Sequence, residues 1–155
     1  MTIHFTPIPT EIVRAYQKGG PDANGQAPER ALSDGGGNPC RHCLKMLPAG
    51  ADMLVLAHRP YPAPQPYAEI GPIFLCANAC DAPAPDAGVP EILTSPDYIL
   101  RGYGSDDRIV YGTGEVVPIA QIAAEAAAKL AEPGVAYVHV RSARNNCFQV
   151  RIDRG

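Results

Sequence analysis

No apolar run in the 155 residues approaches the roughly 20 that a membrane-spanning helix needs, so an integral membrane protein is not expected. The opening MTIHFTPIPTEIV has neither a basic start nor a continuous apolar segment, so no secretory signal is read and a cytoplasmic location is expected. The chain lacks an excess of basic charge. Its net charge of −3 argues against nucleic acid, whose phosphates call for a basic field. There is no internal repeat, serine-nucleophile elbow, phosphate loop or dinucleotide-binding glycine fingerprint, and YGTG and GGGNP match none of these.

The hydrophobic share of 46% and charged share of 19% are those of an ordinary globular protein. The length suits a single domain over 1–155, one that buries about 68–70% of its unfolded surface and needs no staple to fold. Seventeen prolines and fifteen glycines point to long ordered connections. The longest is GGPDANGQAPERALSDGGG (19–37), which has almost no apolar periodicity and is read as a flexible Gly-rich loop within the domain.

TIHFTPI alternates like a strand, and PTEIVRAYQKGG is a short helix with Thr10 as N-cap. Asn38 and Pro39 mark the start of another helical turn, ended by Pro48. ADMLVLAH (51–58) is apolar on both faces and should be an inner strand, and GPIFLCA (71–77) a second buried one. The alternating prolines of RPYPAPQPY forbid sheet pairing between them. YILRGY and RIVYG read as a hairpin closed at GSDD. The clearest helix starts at Pro118 and stops at Pro133-Gly134, with Ile119, Ile122, Ala123, Ala126 and Leu130 on one face. In VAYVHVRSARNNCFQVRI two strands flank a turn. A period of two puts Ala136, Val138, Val140, Phe148, Val150 and Ile152 in the core, and Tyr137, His139, Arg141, Cys147, Gln149 and Arg151 on a polar face. The expected class is α+β: a mainly antiparallel sheet on one main helix, with long Pro/Gly-rich loops.

The five cysteines, at 40, 43, 76, 80 and 147, are an odd number in a reducing compartment, so a disulfide framework is not expected. Three readings stay open. Cys40 and Cys43, in PCRHCL, can supply two ligands of a tetrahedral zinc site from one turn, with partners from Cys76, Cys80, Cys147, His42, His58 or His139. In the first turn of a helix beside Arg41 and His42, Cys40 would instead be a low-pKa thiolate, with Cys43 as its companion in covalent or redox catalysis. Free cysteines are also common core residues, and Cys76 between Leu75 and Ala77 fits that account. The second pair is C-x-x-x-C rather than C-x-x-C, and CRHCL lacks the glycine that often follows a zinc-binding pair.

PCRHCL, PYAEIGPIFLCANAC, LRGY and VRSARNNCFQVRI resemble the signature blocks of the bacterial domain-of-unknown-function 1203 family. The blocks run from residue 39 nearly to the end, and the resemblance implies a single-domain bacterial protein without implying an activity. Members of that family tend to have histidine where this chain has Cys76, an exchange that a metal site and a core position both accept. In the same blocks Glu69 enters a buried strand, and Arg101 and Arg141 lie within strands, where charges are paired or functional. A Glu–Arg structural pair is the simpler account. With Tyr67, His139 and Cys147, they would alternatively form a pocket for a small carboxylate or phosphate. The leading expectation is therefore a protein that binds a small anionic molecule, or an enzyme acting on one. Cys40, Cys43, Cys80 and Cys147 would lie near the arginines, and Cys40 would be the nucleophile. The alternative is a non-catalytic module in which Cys40, Cys43, Cys80 and Cys147 hold a structural zinc.

Overall fold

The N-terminal alternation forms strand β1 (Ile3–Thr6), followed by helix α1 (Thr10–Gln17), in a computed structural model that describes residues 1–155. The residue preceding α1 is Pro9, so Thr10 is its first residue and not its cap. The Thr10 hydroxyl is committed elsewhere, 2.8 Å from Nε2 of His42. Six further strands make up most of the rest: β2 (Glu29–Leu32), β3 (Asp52–His58), β4 (Gly71–Cys76), β5 (Asp97–Tyr103), β6 (Glu115–Pro118) and β7 (Tyr137–Ser142), before β8 (Phe148–Arg154) closes the chain. A 3-10 turn (Ile119–Gln121) leads into helix α2 (Ile122–Ala131). No helix is long and apolar enough to cross a membrane.

The strands form two antiparallel sheets, in the orders β1-β8-β7-β5-β6 and β2-β3-β4, so the fold is mixed α/β. The Gly-rich segment 19–37 contributes β2, and Asp22 ties it to β3 by accepting from the Ala57 amide at 3.0 Å. The central position of β3 agrees with its two apolar faces. β6 is the strand that pairs with β5. The expected partner, RIVYG, makes only the isolated bridge Tyr103–Ile109. The Thr113 hydroxyl explains this: it accepts from the Gly102 amide and donates to the Val110 carbonyl, which folds 108–113 into a turn.

One face of the larger sheet is covered by α2. Ile122, Ala126 and Leu130 pack with Leu100, Val138, Val140, Val150 and Ile152 in a continuous aliphatic core. Ala123 is exposed, and Lys129 takes a buried place by reaching Glu115 at 2.8 Å. The β7–β8 register is the expected one at Val138–Ile152 and Val140–Val150, then slips. Arg141 pairs with Phe148, leaving Gln149 as the extra residue of a β-bulge. Phe148 therefore leaves the parity of Val150 and Ile152. It is buried on the opposite face, among the cysteines and the small sheet. That opposite face is largely buried: Tyr137, His139, Arg141 and Gln149 are buried, while Cys147 and Arg151 are partly exposed.

Residues 38–47 form no helix. They run as a loop between the isolated bridges Pro39–Met46 and Cys40–Phe74, because the Arg41 amide donates to the Phe74 carbonyl at 3.1 Å. A backbone paired with a neighbouring strand cannot also build the i to i−4 ladder of a helix.

Candidate metal centre

In this loop Cys40 and Cys43 are brought to one side by a turn in which the Leu44 amide bonds the Cys40 carbonyl at 3.0 Å. Leu44 takes φ of 58°, the left-handed conformation usually given to glycine after a metal-binding C-x-x-C. Its side chain, 3% exposed in the aliphatic core, offsets that strain. The second pair arrives from the end of β4: Cys76 closes the strand and Cys80 follows in the next loop. That loop is held to α1 by Arg14 and Gln17, which donate to the carbonyls of Cys80 and Cys76 at 2.8 and 2.9 Å.

The four sulfur atoms lie within 4.8 Å of one another. Cys40 and Cys80 are 3.9 Å apart and Cys43 and Cys76 are 3.8 Å apart. Four sulfurs at about 2.3 Å from one ion stand on a tetrahedron with edges of about 3.8 Å, so the quartet has the size of a mononuclear tetrathiolate site. It can hold a metal ion. The surroundings supply what four thiolates need. The Cys76 amide donates to Sγ of Cys40 at 3.3 Å, and His42 Nδ1 is 3.1 Å from Sγ of Cys80. With Cys80 as thiolate, Nδ1 of His42 carries the proton and Nε2 accepts from Thr10, so both ring nitrogens are satisfied. The Arg41 guanidinium, buried and donating to the carbonyls of Phe148 and Pro39, places positive charge beside the sulfurs. Burial brings its pKa down to about 10, well above neutrality. In the metal-free quartet the Cys40 thiol is the most acidic. A hydrogen bond from Cys43 and then one from Cys76 hold it far below the ordinary thiol range, against the opposing effect of burial. Its neighbours move the other way. Cys43 and Cys76 are raised by their bonds to Cys40, and burial followed by the charge of Cys40 pushes Cys80 up to about 12.

The expected site residues divide into two groups. Cys40, Cys43 and Cys80 come together, but their fourth partner is Cys76, not Cys147. Cys40 itself is 0% exposed and has no helix dipole behind it. Cys147 lies in the β7–β8 turn, half-buried, with Glu69 and Arg141 nearby. Glu69 bridges two arginines, accepting from Arg101 at 2.7 Å and from Arg141 at 3.1 Å. Arg101 also donates to the Tyr103 hydroxyl, and Arg141 to the side chain and carbonyl of Asn146. Tyr67 stands apart, bonded to Tyr111 at 2.8 Å and facing Arg108. His139 is fully buried inside a ring of Tyr61, Tyr103, Tyr137 and Phe148, with centroids 4.8 to 5.2 Å away, and neither of its nitrogens has a partner.

The family model described as "Protein of unknown function (DUF1203)" matches residues 37–154, which takes in all five cysteines and the Glu69 triad. The chain belongs to the DUF1203 family. No curated protein and no solved structure matches it. The quartet and the triad are therefore features inside the DUF1203 region, while β1, α1 and β2 precede it. Two contributors are among the possible partners read from the sequence but outside the preferred set: Cys76, at the end of an apolar strand, and His42, which meets Cys80. The C-x-x-x-C spacing was the one sequence signal that pairs Cys76 with Cys80.

Proposed function

We propose that this DUF1203 protein is a non-catalytic module whose fold is stapled by one structural zinc ion held by Cys40, Cys43, Cys76 and Cys80. The observation that carries this reading is the tetrahedral spacing of the four sulfurs, with opposite pairs at 3.8 and 3.9 Å and none beyond 4.8 Å. A site with four protein ligands leaves no position for water or substrate, which is the arrangement of structural rather than catalytic zinc. Zinc with four thiolates carries two negative charges. The buried Arg41 and the amide and imidazole donors at Cys40 and Cys80 are placed to offset them. In this role the ion ties the 38–47 loop to the end of β4 and, through His42 and Thr10, to α1.

Thiol accessibility tests the proposal. In native protein purified without a histidine tag, one cysteine, Cys147, should react with iodoacetamide, and all five should react after chelation. Rapid native alkylation of Cys40 in protein that has never met a chelator would contradict a zinc staple and restore the nucleophile reading.

A further inference from the structure

A separate hollow of about 200 Å³ lies beyond the quartet, between the start of β4 and the β7–β8 turn, with His58, Glu69, Gly71, Arg141, Asn146 and Cys147 in its walls. None of the four clustered cysteines lines it. Two features single it out. The first is that Arg141, in its wall, has a buried Nη1 without a hydrogen bond; the other buried side-chain nitrogens that lack one are those of His139, which does not line the hollow. A buried donor without a partner is costly, and a charged guanidinium N–H more so than a neutral one. The second feature is charge. Arg101 and Arg141 share the single carboxylate of Glu69, so one positive charge in the triad is left without a counter-ion.

We propose that this hollow binds a small organic carboxylate, anchored by the Nη1 donor of Arg141. A monoanion balances the triad. A doubly charged phosphate would have to sit beside Glu69 with one charge too many and only one free guanidinium donor, so the carboxylate is the better match. His58 adds a neutral donor. Burial keeps its pKa down at about 4, and when the Tyr16 hydroxyl donates into Nδ1 at 3.1 Å, Nε2 carries the ring proton. The hollow has room for a ligand carbon chain beside Gly71, where an added Cβ would meet nothing within 4 Å. Gly71 pairs with His58 across β3 and β4, so a side chain there points to the His58 side, into the hollow.

The site goes beyond the zinc proposal and is tested in metal-loaded protein by calorimetric titration with propionate, with chloride and inorganic phosphate at matched ionic strength as controls. Propionate should bind saturably and raise the melting temperature. Gly71→Val, whose backbone is in an ordinary strand conformation, should fold normally and lose at least tenfold in affinity by filling the space. Arg141→Lys, which keeps the charge but not the fork, should lose as much. Absence of saturable propionate binding, or equal binding by Gly71→Val, overturns the proposal. A response to phosphate as strong as that to propionate overturns the carboxylate assignment.

Discussion

The two faces of the five-stranded sheet are buried by different means. Under α2 the face is aliphatic: Leu100, Val138, Val140, Val150 and Ile152 meet Ile122, Ala126 and Leu130, and nothing there needs a partner beyond close packing. The other face carries Tyr137, His139, Arg141 and, through the bulge, Phe148. It is covered by the small sheet and the cysteine loop. There, polar and titratable groups lie among the apolar ones: two buried and two half-buried thiols, two unbonded imidazole nitrogens and an unbonded guanidinium nitrogen. The first face is complete as a packed core. The second leaves polar atoms unpaired, and the zinc and carboxylate proposed above would serve the thiols and Arg141 Nη1.

The contrast is broken most severely at the quartet. Cys43→Ser should remove one of four soft ligands and cost about 4 kcal/mol or more, a fall in melting temperature of roughly 10 °C, and chelation of the wild type should do the same. Chelation should then add little to Cys43→Ser, because both act on one site. On the opposite face Leu130→Ala should cost about 2–5 kcal/mol through a cavity, with the same loss in the presence and absence of chelator. A Leu130→Ala penalty that vanished on chelation would mean that the faces do not unfold as the contrast requires.

A smaller effect sharpens the polar side through pH. Burial, followed by the charges of Arg141, Arg151 and Arg101 and then His58, lowers the pKa of His139 far below its ordinary value. Burial lowers that of His58 to about 4, with Arg59 and Arg41 adding to it. Both groups take up protons more readily when unfolded, so their effect is constant above the unfolded value of about 6.5. Stability is lost as pH falls from there toward the folded value, at about 1.4 kcal/mol per pH unit for each group. His139→Phe, a similar shape among four aromatic rings, should flatten this loss between pH 7 and pH 5, leaving the variant about 1–3 kcal/mol more stable than wild type at pH 5. An unchanged slope in urea unfolding across that range would show that His139 is not the group that resists protonation.

Most of the aliphatic face was legible in the sequence, because period-two alternation in β7 and β8 and the 118–132 helix pattern both report burial of residue types that tolerate nothing else. The polar face was not, for particular reasons. The bulge at Gln149 reverses parity without leaving a mark in residue type, since phenylalanine is at home on either face of a sheet. Cys76 ends an apolar strand and so looked like core. Asn38-Pro39 has the composition of a helix start, but the Arg41 amide found a better partner in β4 than in its own segment. Leu44 occupies a glycine conformation, so the missing glycine after Cys43 was no evidence against a metal-binding turn. β2 and β6 are short and mostly exposed, with at most one buried side chain each, so they leave no apolar pattern to read.

The most direct test of the account is metal analysis joined to X-ray absorption at the zinc edge, on protein expressed without a histidine tag. The account predicts one zinc per chain, with four sulfur neighbours at about 2.3 Å and no nitrogen or oxygen in the first shell. A folded, stable protein without zinc, or a zinc surrounded by nitrogen and oxygen, would contradict it.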